Sequence, residues 1–158
     1  MSHVDFERDF ARVGQWIARY FAHPEAYRVL PDVRPGDVVA QLPTMPPESG
    51  EPFERIFADF ERIVVPATTH WNHPRFFAYF ATSSAPVAVA AEALAATLDV
   101  KAMLWRTSPS ATELEEVMMR WLGTMLGVSK AWMGIIYDTA SIAGFTALTA
   151  AREALDLG

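Results

Sequence analysis

Asp138-Thr139-Ala140-Ser141 places small and hydroxyl-bearing residues between an apolar run, Ala131 to Tyr137, and an Ala-rich helical stretch, Ala143 to Leu155. A strand, a tight turn of such residues and then a helix form a physical recipe for holding phosphate. The first amides of a helix have no partner within it, its dipole favours an anion, and the hydroxyls of Thr139 and Ser141 add donors. Ala140 contributes by being small enough to let an anion approach. Asp138, Thr139 and Ser141 are equally ordinary helix caps, and taken alone the tetrapeptide does not decide between the two uses.

A second cluster, His70-Trp71-Asn72-His73-Pro74-Arg75-Phe76-Phe77-Ala78-Tyr79-Phe80, is dense in aromatics and bounded by Pro66 and Pro86. It reads as a loop or short extended segment with too much apolar area to be left in water. Its rings suit core filling, yet an aromatic wall beside the hydroxyl of Thr82 also suits a flat, partly polar ligand. His70 and His73 have no carboxylate or thiol at ligand-like spacing, so structural or pocket-lining roles are expected of them and metal is not. There is no nucleophile–base arrangement and no Walker-type glycine loop, and the acidic Thr112-Glu113-Leu114-Glu115-Glu116 suits the opening turns of a solvated helix.

These residues need elements to hold them. Phe6, Phe10, Val13, Ile17, Tyr20 and Phe21 form one helical stripe, predicting a first helix over Asp5 to Ala22. From Pro24 to Pro52 the chain holds seven of its eleven prolines and should be an extended connector lying on something else. Phe53, Ile56, Phe57, Phe60, Ile63 and Val64 predict a second helix that Pro52 opens and Pro66 stops. Ser84 and Pro86 mark the cap and first turn of a third, running to about Val100. Ser108 and Pro109 open a fourth, whose stripe of Leu114, Val117, Met118, Trp121, Leu122, Met125 and Leu126 ends at Gly127. Ala131 to Tyr137 reads as a buried strand, which needs neighbours this chain does not supply, and the amphipathic arm likewise asks for a partner to wrap around.

Composition narrows the classes. With 158 residues, 51% of them apolar, the chain can bury a sizeable core. A net charge of −6 without a Lys/Arg cluster argues against nucleic acid and against a basic membrane-binding face. The run Ala85 to Leu98 is interrupted by Glu92 and falls short of the ~20 residues a bilayer requires. The start, MSHVDFERDF, lacks the basic and uninterrupted apolar regions of a secretory signal, and the absence of cysteine fits a reducing compartment, so a cytoplasmic setting is expected.

Taken in order, the segment from His70 to Phe80, then Ser108-Pro109 with Thr112-Glu113-Leu114-Glu115, Val117-Met118-Met119, Trp121-Leu122-Gly123, Thr139-Ala140-Ser141, Ala147-Leu148 and Ala150-Ala151-Arg152 resembles the aromatic-L-amino-acid decarboxylase family. These are group II decarboxylases dependent on pyridoxal 5′-phosphate (PLP), on the aspartate-aminotransferase-like, type I α/β fold. The resemblance implies that this mainly α chain is the N-terminal part of that fold, with residues 1–84 as helical arm, connector and substrate-pocket loop and residues 85–158 as the start of the large cofactor-binding domain. It implies that Ala140 and Ser141, with Thr139, bind the cofactor phosphate. Trp71, Tyr79, Phe80 and Thr82 would line the substrate pocket, and Lys101 and Met103 would reach into the neighbouring subunit's pocket of a homodimer. The implied reaction is α-decarboxylation of an L-amino acid, of aromatic type, to the amine.

Three departures stand out. Ala81 replaces a usual proline, Ile142 a common glutamate, and Lys101 and Met103 replace apolar and aromatic types, so Lys101 either snorkels to solvent or meets a polar substrate group. The family's Schiff-base lysine, by resemblance, lies downstream of Gly158, and neither Lys101 nor Lys130 sits in a matching context. No catalytic residue is therefore expected in this chain, which alone should be inert until a companion polypeptide or continuation supplies the lysine half. Two rival readings are a non-catalytic helical interaction module and a stand-alone phosphate-ligand binding domain.

Overall fold

The computed structural model describes residues 3–80 and 82–155. Among them lie five α-helices and no strand: α1 (His3–Ala22), α2 (Phe53–Asp59), α3 (Pro86–Leu98), α4 (Pro109–Met125) and α5 (Ala140–Ala154). The mainly α expectation holds. The chain divides into two compact units, Met1–Ala91 and Glu92–Gly158.

In the first unit α1 runs along α2. Trp16 meets Phe60 edge-on at 4.9 Å, the Arg12 guanidinium lies over the Phe57 ring at 4.7 Å, and Arg8 pairs with Glu54 at 3.1 Å. The face used is therefore Asp9, Arg12, Trp16 and Tyr20, of which only Tyr20 belongs to the stripe the spacing predicted. Phe6 and Phe10 stack on each other at 5.7 Å and remain about half exposed. The rotation follows from chemistry: this face offers rings and opposite charges together, and Asp9 is buried under its bond to Arg8. Exposed ion pairs add at most about 1 kcal/mol each, so the rings carry most of the packing.

The predicted second helix is broken. α2 ends at Asp59, a π-helical turn spans Phe60–Val64, and a 3-10 turn spans Val65–Ala67. Pro66 has no N–H for the carbonyl four residues back, so the ladder cannot continue in α form. The wider turn buries Ile63 and the 3-10 turn buries Val65, and Phe57 and Phe76 are buried as well. The Pro-rich connector does lie on something: Tyr27 packs against Tyr20 at 5.0 Å and against His70 at 4.8 Å, and the Val29 carbonyl accepts the His70 amide.

α3 starts at Pro86, but its first backbone bonds run to the Ala85 carbonyl, so Ser84 is not its cap. α4 begins after Ser108 as expected, although the Ser108 hydroxyl makes no cap bond. The helix ends through Gly127 in the left-handed region (φ 69°), where glycine carries no steric cost.

Ala131 to Tyr137 does not form the expected buried strand. The segment leaves a turn at Ala131 without regular structure, has no ladder among the described residues, and leaves Trp132, Met133, Ile135 and Ile136 exposed. A strand exists only by pairing, and nothing described runs beside it. It folds back toward α4, where a Cβ added at Gly134 would meet Met119 Sδ at 3.6 Å, and an apolar groove of about 560 Å³ is lined by both segments. None of the residues singled out for chemistry lines that groove.

Candidate functional site

α5 begins three residues earlier than periodicity suggested, which places Ala140 and Ser141 inside its first turn. Thr139 is the cap: its backbone is extended and its Oγ1 accepts the Ile142 amide at 3.2 Å. The Thr139 carbonyl accepts the Ala143 amide at 3.0 Å. The amides of Ala140 and Ser141 and the Ser141 hydroxyl have no partner among the described residues, and all three residues of the turn are exposed. Thr139 thus closes the helix, and the donors of Ala140 and Ser141 are not used in doing so. Ile142, the departure from the common glutamate, contributes its amide to the cap and puts no negative charge beside those donors. A Thr139→Ala change should cost about 1 kcal/mol of α5 stability, with Thr139→Ser near neutral, as read by amide exchange of the first turn of α5. Equal protection in wild type and Thr139→Ala would contradict the cap.

The aromatic segment belongs to the first unit and is built on a buried imidazole. His70 Nε2 is 3.1 Å from the Val65 carbonyl, which can only accept, so Nε2 carries the hydrogen. Nδ1 is then the acceptor for the Tyr20 hydroxyl at 3.0 Å. His73 Nδ1 accepts the Arg75 amide at 2.9 Å. Both histidines are buried and their bonded nitrogens face protein groups, a structural role. Burial raises the Tyr20 pKa above its ordinary value and nearby Tyr27 adds to this, while a hydrogen bond from the Asn72 side chain works the other way.

On this base stand three rings. Buried Phe76 lies 4.6 Å from Trp71, and Tyr79 stacks on Trp71 at 5.6 Å. Tyr79 has φ 54°, a left-handed conformation that costs a non-glycine residue about 1–2 kcal/mol. The stack offsets about 0.5–1.5 kcal/mol of that. Trp71 and Tyr79 are thus brought together, while Phe80, 95% exposed, and exposed Thr82 have no ring or hydrogen-bond partner among the described residues. The Ala81 departure lies outside the described residues.

Lys101 and Met103 lie in the second unit, on a loop between α3 and α4. The Lys101 ammonium pairs with Asp99, Met103 is exposed, and the Thr107 hydroxyl donates to the Lys101 carbonyl at 2.6 Å. Lys101 thus engages a carboxylate of its own chain at the surface. The residues missed from sequence are Tyr20, read there as part of an apolar stripe, and Asn72. Their partners are set by tertiary packing, Tyr20 and His70 being 50 positions apart, and no local spacing reports that.

The backbone trace is similar to the N-terminal part of solved decarboxylase structures. It matches the structure of Oryza sativa TDC with PLP and tryptamine with a TM-score of 0.89 at 30% identity, covering 98% of this chain and 35% of that one. Catharanthus roseus tryptophan decarboxylase in complex with L-tryptophan matches with a TM-score of 0.83 at 32% identity, over 89% and 32% of the two chains. The chain belongs to the pyridoxal-dependent decarboxylase family, whose conserved domain matches residues 35–156. Aromatic-L-amino-acid decarboxylases of Bos taurus and Rattus norvegicus are 40% and 41% identical to it over 160 residues, covering 96% of this chain and 33% of each relative. The chain spans about a third of the length of the curated relatives it matches and corresponds to the N-terminal part of the family fold. Among the described residues no helix is long and apolar enough to cross a membrane.

Proposed function

We propose that this chain supplies the phosphate-holding turn and the aromatic substrate wall of a PLP-dependent decarboxylase acting on an aromatic L-amino acid. The observation that carries this reading is the unused donor set at the start of α5. Two helix-terminal amides and a hydroxyl lie in the first turn, where the dipole is positive, a set whose chemistry fits a phosphate dianion. Bound there, PLP supplies the electron sink that loss of CO₂ from an amino acid requires.

The chain's own residues bind and orient. Ala140 and Ser141, with Thr139 holding the turn in shape, fix the phosphate end. Trp71, Tyr79, Phe80 and Thr82 receive the flat side chain of the substrate and keep water from it, and Lys101 and Met103 shape the pocket of a neighbouring subunit. Homodimerisation is supported by α1, whose Phe6–Phe10 pair is open on the face α2 leaves uncovered. The lysine that binds the cofactor covalently belongs, in this reading, to polypeptide outside these 158 residues, since Lys101 is held by Asp99. A cytoplasmic setting suits a chain without cysteine.

Titrating the chain with PLP, alone and with a polypeptide carrying the remainder of the family domain, tests this. A visible absorption band that needs both polypeptides, together with amine formation from L-tryptophan, is the expected result. Tight PLP binding by the chain alone with no such band would favour a phosphate-ligand binding domain instead.

A further inference from the structure

Between Phe77 and Ser84 the aromatic loop is held by very little. Among the described residues it makes one ring contact, Tyr79 on Trp71, and one hydrogen bond, from the Ser84 amide to Asn72 Oδ1 at 3.0 Å. Phe77, Tyr79 and Phe80 are 87–95% exposed, so burial does not hold the loop, and Tyr79 sits in a left-handed conformation that persists only where its surroundings enforce it. Asn72 is half-buried at the foot of the loop, between His70 and His73, which are both buried and both bonded. Its side chain lies near enough to the Tyr20 hydroxyl of α1 to draw that group's pKa down against the effect of burial. One amide therefore reaches across twelve positions to join the two ends of the loop and fastens both to the first unit's core.

We propose that Asn72 is the positioning residue of the aromatic loop: by clasping the Ser84 amide it closes the 72–84 segment into a ring and holds Tyr79 and Phe80 in place. It touches neither substrate nor cofactor in this role and acts through the rings it aligns. The inference rests on the proposed function in so far as that loop is the substrate wall.

The test combines amide exchange in the full chain with kinetics of the decarboxylating assembly on L-tryptophan. Asn72→Ala should speed exchange of the Ser84 amide and its loop neighbours about tenfold, the scale of one lost hydrogen bond, and raise KM about tenfold with kcat little changed. Asn72→Asp keeps an acceptor at the Oδ1 position and should recover most of both effects. Ser84→Ala keeps the amide and should behave as wild type. Unchanged loop exchange in Asn72→Ala, or failure of Asn72→Asp to recover it, overturns the clasp. Faster exchange with an unchanged KM, in Asn72→Ala and also in Trp71→Ala, upholds the clasp and refutes the substrate-wall reading instead.

Discussion

Replacing Ser141 with alanine is expected to weaken PLP binding by the assembled enzyme ten- to a hundredfold, and replacing it with aspartate by more than about a hundredfold. The alanine removes one hydroxyl donor to a charged group, a loss of about 1.5–3 kcal/mol, and each ~1.4 kcal/mol is a factor of ten in affinity. The aspartate adds a carboxylate where the phosphate would sit. It should leave α5 as stable as before or more so, because an acidic residue in the first helical turn interacts well with the dipole. The two effects separate: the helix is kept while the cofactor is lost. Fluorescence titration with PLP beside the thermal melt of each variant reads both, and wild-type affinity in Ser141→Asp would remove α5 from the cofactor site altogether.

The second large effect concerns stability rather than binding. His70→Ala should destabilise the first unit by about 3–4 kcal/mol. The change empties the space beside Tyr20 and Tyr27, strands the Tyr20 hydroxyl and leaves the Val65 carbonyl with the Thr68 amide alone. Substitution with glutamine, which keeps a donor and an acceptor on a smaller frame, should restore part of the loss. Urea unfolding followed by tryptophan fluorescence would show it, Trp16 of α1 packing on Phe60 of the turn that follows α2. A loss below about 1 kcal/mol would mean that the imidazole occupies its place without holding it.

Elements defined by local rules were legible in the sequence. α4 starts where Ser108-Pro109 said it should and stops at the glycine its left-handed end needs, and Thr139 caps α5 as a hydroxyl residue at that position does. What was not legible depends on partners far along the chain. Which face of α1 is used follows from the charges and rings of α2, the break after Asp59 follows from a proline seven positions on, and the unpaired Ala131–Tyr137 segment shows that an apolar run specifies a strand only together with its neighbours. At the site, a hydroxyl-rich turn opening a helix could be read because capping rules are local, and the structure added which residue is the cap, Thr139 rather than Ser141. The Tyr20–His70 bond and the Asn72 clasp could not, since each joins residues that meet only once the unit has folded.

The lone apolar segment after α4 bears on how such a protein finds its correct form. Its main chain offers the same row of hydrogen-bonding groups to every comer, and Ala131-Trp132-Met133-Gly134-Ile135-Ile136-Tyr137 bears no charge that would turn an unsuitable one away. Choice of neighbour is thereby left to shape alone: the bulk of Trp132 and the two isoleucines against the gap at Gly134. Whatever pairs with this segment is therefore selected by fit against those side chains and not by charge.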